Sequence, residues 1–184
     1  MLAFLALLSR SLLAQQYVRP DGASSFGDSC DAVHTGTFAD IDETVPSNAD
    51  YVYCESALIG DFAFALVQFT GSNVTDPVSS SGHVLRWRCD SSLGEGVTIY
   101  LVEGLNTTRA SAAGNCDGNT QTYTLSAAEA NAITDYSNLE FRGVEACDTI
   151  GGCIGSGALV KIFWIELEVP SASGGAARRV VVVQ

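Results

Sequence analysis

The segment Leu159 to Pro170, LVKIFWIELEVP, constrains the fold more than any other part of the chain. On strict alternation Phe163, Ile165, Leu167 and Val169 share one face. The other face changes along its length, from Val160, Ile162 and Trp164 to Glu166 and Glu168. A strand apolar on both faces must be covered from both sides there, whereas the two glutamates are expected to be solvated on an exposed strand end. Pro170 lacks the amide hydrogen a ladder needs, so the strand stops before it. Ser81 to Cys89 alternates in the half-buried manner, with Leu85, Trp87 and Cys89 on one face and Arg86 and Arg88 on the other.

Asp50–Cys54, Asp61–Phe69, Val97–Glu103 and Asn138–Arg142 add further strand-like runs. Between them, Ser126 followed three residues later by Glu129 is a capping box, which predicts a short helix over Ser126 to Ile133. Residues 70–82 and 143–157 read as loops, and Tyr17 to Pro46 shows little periodicity. Strands before and after one small helix describe an all-β antiparallel sandwich spanning residues 17–170.

Six cysteines, Cys30, Cys54, Cys89, Cys116, Cys147 and Cys153, with no Cys-x-x-Cys and two histidines, point to disulfides rather than zinc. Fifteen pairings are possible. The preferred set closes Cys147–Cys153 over a short loop and leaves Cys89–Cys116 and Cys30–Cys54 as longer clips. Residues 1–14, MLAFLALLSRSLLA, read as a secretory signal, or if retained as an apolar segment packed in an assembly; the run is too short for a stable membrane span. In a secreted chain the sequons at Asn73 and Asn106 are glycan sites. Charged residues make up 16% of the chain, well below the roughly 25% usual for soluble domains. A surface built from Ser, Thr, Asn and Gly suits an extracellular protein or a subunit hidden in an assembly. The net charge of −12 opposes nucleic acid as a partner.

Ile41-Asp42-Glu43, Asn48-Ala49-Asp50-Tyr51, Ser81 to Arg86, Leu125 to Ala130, Ile133 to Leu139 and Trp164 to Pro170 occur in that order. Together they resemble a poorly characterised family of phage structural proteins and secreted bacterial or environmental surface proteins. The resemblance covers about residues 18–170. It implies a jelly-roll β-sandwich with a structural or surface role, and it brings no catalytic residue and no ligand. The six cysteines and the acidic loop inserts depart from the family's usual form and point to hardening for an external environment.

The candidates for chemistry are sparse. Gly27-Asp28-Ser29 resembles a nucleophile block, but Cys30 follows and only His34 and His83 could serve as base. His83 is expected to be a loop or strand-edge residue. Glu166 and Glu168 share one strand face roughly 7 Å apart, whereas a glycosidase sets its two acids on opposite sides of a sugar in a cleft of aromatics. Asp40, Asp42, Glu43 and Asp50 offer several hard oxygens, a weak site for structural calcium. Trp87, Trp164, Tyr100 and Tyr123 would form a sugar-stacking platform if they faced outward, although alternation puts Trp87 with Leu85 and Trp164 with Ile162, in the core.

Residues 171–184 read as a small-residue linker followed by an apolar strand, Val180, Val181, Val182 and Val183. Four valines are costly to expose and must pair, either within their own sandwich or with a neighbouring copy by strand donation. The expectation is a non-enzymatic structural subunit of an extracellular filament or virion surface, assembling with copies of itself. The alternative is a secreted monomeric carbohydrate-binding module with glycans as partners.

Overall fold

The computed structural model describes residues 15–21, 34–35, 41–56, 63–67, 74–92, 96–104, 106–146 and 158–172. The strands are β1 (Gln16–Val18), β2 (His34–Thr35), β3 (Val52–Ser56), β4 (Ala63–Val67), β5 (Val84–Ser91), β6 (Gly96–Glu103), β7 (Thr107–Asn115), β8 (Asp117–Thr124), β9 (Leu139–Ala146) and β10 (Ala158–Val169). One helix, α1 (Ala127–Ala132), and a 3-10 turn at Tyr136–Asn138 separate β8 from β9. Sheet A runs β2-β3-β10-β5-β8, with β1 also paired to β10, and sheet B runs β4-β9-β6-β7. Every pairing is antiparallel. From β3 onward the chain changes sheet at each step except β6 to β7. The resulting orders 3-10-5-8 and 4-9-6-7 are those of a jelly-roll sandwich.

One apolar core joins the two sheets. Leu85, Trp87, Ile165 and Leu167 of sheet A and Val97, Ile99, Leu101 and Phe141 of sheet B are all buried in it. Each such side chain contributes about 1.5–3 kcal/mol of burial. Gly114 of β7 packs directly against Trp87 of β5: a Cβ there would come within 2.7 Å of Trp87 Cζ2. The indole therefore needs a glycine opposite it.

Strand β10 corrects the reading by alternation. Against β5 its register jumps between Ile162 and Trp164, so Phe163 is an extra, bulged residue. A bulge reverses the facing of everything beyond it. Val160 and Ile162 consequently share the core with Ile165, Leu167 and Val169, while Trp164 turns to the opposite face of sheet A. Trp164 is nonetheless only 3% exposed. The segment 41–51 lies over it: the Trp164 indole donates to the Glu43 carbonyl at 2.9 Å, Tyr51 meets Phe163 edge-on at 6.0 Å, and Arg88 donates to Asn48 Oδ1 at 3.0 Å. Lys161 Nζ adds a cation–π contact 4.7 Å from the Tyr51 ring centroid.

The capping box at α1 is formed. Glu129 N donates to Ser126 Oγ at 3.3 Å, and Ser126 N donates back to Glu129 Oε2 at 2.7 Å. Tyr123 Oη donates to the same carboxylate at 2.9 Å, tying the helix to β8. For a six-residue helix the cap is a large share of what holds it. Ser126→Ala is expected to cost about 1 kcal/mol, read as a fall of about 2–4 °C in Tm by thermal denaturation.

Candidate functional site

Cys89 and Cys116, both buried, form a disulfide with Cα atoms 4.6 Å apart. It ties β5 to the β7–β8 corner, and is one of the two longer clips in the preferred set of pairings. Cys30, Cys147 and Cys153 lie outside the described residues; the Cys54 backbone sits in β3 opposite Val160 and His34. Ser29, Asn73, Asp40, residues 1–14 and Val180–Val183 are likewise outside them. Asn106 occupies the turn between β6 and β7, exposed, its Oδ1 accepting from Arg142 Nη1 at 3.3 Å. Asp42 and Asp50 are exposed, and no three His, Cys, Asp or Glu side chains converge as metal ligands among the described residues. Among those residues, no helix is long and apolar enough to cross a membrane. Trp87 at 1% and Trp164 at 3% exposure are both covered, so the four aromatics make no outward platform.

Glu166 and Glu168 are not solvated. They are 4% and 8% exposed, and the bulge at Phe163 places them on the outer face of sheet A beside Arg86. Arg19 grips Glu166 Oε2 through Nε at 3.1 Å and Nη2 at 2.8 Å. Arg86 donates Nη1 to Glu166 Oε1 at 3.2 Å and pairs through Nη2 with Glu168. Strand β1 delivers Arg19 by pairing Val18 with Leu167. The network alternates in sign and satisfies both carboxylates. It fastens β1, β5 and β10 to one another. Burying and desolvating ions is worthwhile only in such a paired geometry.

His83 is the loop residue immediately before β5, the position expected from sequence, and it has no exposed surface. Its Nε2 lies 2.6 Å from Tyr136 Oη, and the two rings stack with centroids 5.9 Å apart. Its Nδ1 has no hydrogen-bond partner among the described atoms. Burial holds the imidazole below its ordinary value, against an opposing pull from the Asp76 carboxylate. Burial, with Asp76 and Glu103 adding negative potential, pushes the Tyr136 phenol up to about 12. Nearby, burial alone would raise Glu103, but the Thr134 hydroxyl and amide together with Arg109 outweigh it and hold the carboxyl below its usual range. Arg109, the extra residue where β7 slips against β6, reaches Glu103 with Nε at 2.9 Å. A ring without exposed surface touches no substrate from outside. Nothing in the sequence distinguishes His83 from an exposed loop histidine except the Tyr136 it meets 53 residues later.

The remaining feature is a pair of sheet edges. Among the described residues β8 pairs only with β5 and β7 only with β6. The single residue Cys116 joins them, so both edges lie on one flank of the sandwich. Their formal charges are Arg109, which is ion-paired, and Asp117. The irregularities fall at Arg109 and at Gly118–Asn119, near the start of each strand, leaving Ala110–Asn115 and Thr120–Thr124 regular. Edges of this kind offer unpaired N–H and C=O groups to another strand. Comparison of the chain with protein-family models, with curated proteins and with solved structures finds no match.

Proposed function

We propose that this protein is a non-enzymatic structural subunit of an extracellular filament or virion surface, joined to its own copies through its apolar terminal segments. The observation that carries the reading is the flank formed by β7 and β8: two adjacent, regular, nearly uncharged strand edges. Natural edges are usually blunted with lysine, proline or inward charge, and Thr120–Thr124 carries none of these. A strand added there gains main-chain hydrogen bonds, with alternate side chains set into or away from the sandwich. The segment Val180–Val183 has the composition for that role. Head-to-tail repetition of one such contact generates a filament. The disulfide agrees with an oxidising, extracellular setting.

Size-exclusion chromatography and negative-stain microscopy of three chains test this: the full chain, a chain ending at Ala172, and the full chain carrying Thr122→Pro. The full chain is expected to form fibres or large particles. Truncation and the edge proline, which removes a ladder donor, are each expected to leave monomer. A full chain that stays monomeric, and is unaltered by truncation, overturns the reading. Binding of that monomer on a glycan array would establish the carbohydrate module in its place.

A further inference from the structure

We propose that His83 is an acid-sensitive latch, whose protonation opens the end of the sandwich where residues 74–83, the close of β10 and the 3-10 turn meet. The inference goes beyond assembly and does not depend on it. In the neutral ring one nitrogen donates and the other accepts, so His83 Nε2 and Tyr136 Oη share a single proton across 2.6 Å. A second proton puts a full charge on a ring with no exposed surface and makes Nδ1 a charged donor without a partner among the described residues. Burying such a charge is costly unless it is paired.

The titratable groups acting on the pair are Asp76 from the loop, Tyr136 itself and, through Tyr136, Glu103 from β6. None of them hydrogen-bonds Nδ1, and the pull of Asp76 is outweighed by burial. Asp76 Oδ1 accepts from Val78 N at 2.8 Å, and Glu103 is held by Thr134 and Arg109. Water is therefore the easiest destination for the charge, and the ring reaches it only if this end opens. Several contacts depend on the closed position. The His83 carbonyl accepts from Leu125 N at 3.0 Å at the entry to α1. Gly82, at φ 85°, packs so tightly that a Cβ would come within 3.0 Å of Pro170 Cγ. The Gln16 amide staples Thr75, through N at 2.7 Å and O at 2.9 Å, to the Pro170 carbonyl at 3.0 Å. Pro170 is also where the chain leaves β10 toward residues 171–184.

The direction follows from proton counting. The open state, with an ordinary imidazole, binds more protons than the closed state whenever pH lies below about 6.5. The ratio of open to closed thus rises by up to about tenfold per pH unit, from 6.5 down to the lowered value of the buried ring.

Amide hydrogen exchange on the full chain, corrected for its intrinsic pH dependence, reads this at Leu125 and at Gly104, whose N–H donates to Asn138 O at 2.8 Å. Protection at both is expected to fall by up to about tenfold per pH unit below 6.5, while Ile99 in the middle of β6 keeps its protection. In His83→Gln the fall is expected to vanish. In Asp76→Asn, which keeps the acceptor for Val78 but loses the charge favouring protonation, it is expected to continue to lower pH than in the parent chain. Constant protection in the parent chain, or an unchanged fall in His83→Gln, overturns the latch. Should His83→Gln not fold, a fall in Asp76→Asn that ends at the same pH as in the parent overturns it equally.

Discussion

Glu166→Ala is expected to destabilise the fold by about 3–5 kcal/mol, because it removes the shared partner of Arg19 and Arg86 from a site that is almost dry. At this chain length that is a fall of about 6–20 °C in Tm. The size separates this network from ordinary surface pairs, whose median worth is about 0–1 kcal/mol. The carboxylate's side chain is only 5% exposed, whereas the two arginines keep 21% and 27%. The arginine heads can therefore recover some hydration, which favours the lower half of the range. Urea unfolding of the parent chain, Glu166→Ala and the double replacement Glu166→Met with Arg86→Met checks the assignment. The double variant is expected to lose less than the single, since apolar residues of similar volume often replace a buried pair without loss. A single-variant loss below about 1 kcal/mol would show the network to be worth no more than a surface pair.

The second large effect is at the disulfide. Cys89 and Cys116 are separated by 27 residues, and loop-closure entropy for such a crosslink gives about 3.5 kcal/mol. Replacing both by serine adds the cost of placing two hydroxyls where the sulfurs were buried. The expected outcome is a lower urea midpoint for the double-serine chain than for the oxidised parent, by an amount corresponding to about 3–5 kcal/mol. Loosening is expected to begin at the corner, because β7 and β8 otherwise turn through it on one residue. Hydrogen exchange at Ser91, whose amide donates to the Cys116 carbonyl at 3.2 Å, should report it first. Equal midpoints for the two chains would mean that the corner is held by its packing alone.

The sequence announces those parts of the fold in which periodicity and burial agree. Leu85, Trp87 and Cys89 alternate with Arg86 and Arg88, and β5 has that pattern of burial. Ser126 and Glu129 announce α1 because capping is a local interaction. Strands β7 and β8 are hidden for a physical reason. In β7 the buried positions are Ala110 and Ala112, too small to stand out, and Gly114 is kept small by Trp87. In β8 the half-buried positions are Gly118, Gln121 and Tyr123, which give no apolar stripe. Strands β1 and β2 are too short for a period to emerge.

The sites were less legible than the fold, since each rests on a contact between distant parts of the chain. One inserted residue at Phe163 decides that Trp164 leaves the core and that Glu166 and Glu168 meet Arg86. No alternation count reveals a bulge. Residues 41–51 cover Trp164 on the outer face of sheet A, and Asp42, Glu43 and Asp50 belong to that cover. His83 acquires its character from Tyr136, brought to it by α1 and the 3-10 turn.

The placement of β10 has a consequence for how the chain reaches its structure. The last described strand lies in the interior of sheet A, hydrogen-bonded to β1, β3 and β5, and the Gln16–Pro170 contact spans 154 residues. During synthesis β1 and β3 must therefore wait for this ladder partner until β10 has emerged from the ribosome. Sheet B has no such delay beyond β9. This order of events favours slow, late closure, with a long interval in which a nascent edge is open to a neighbour's strand.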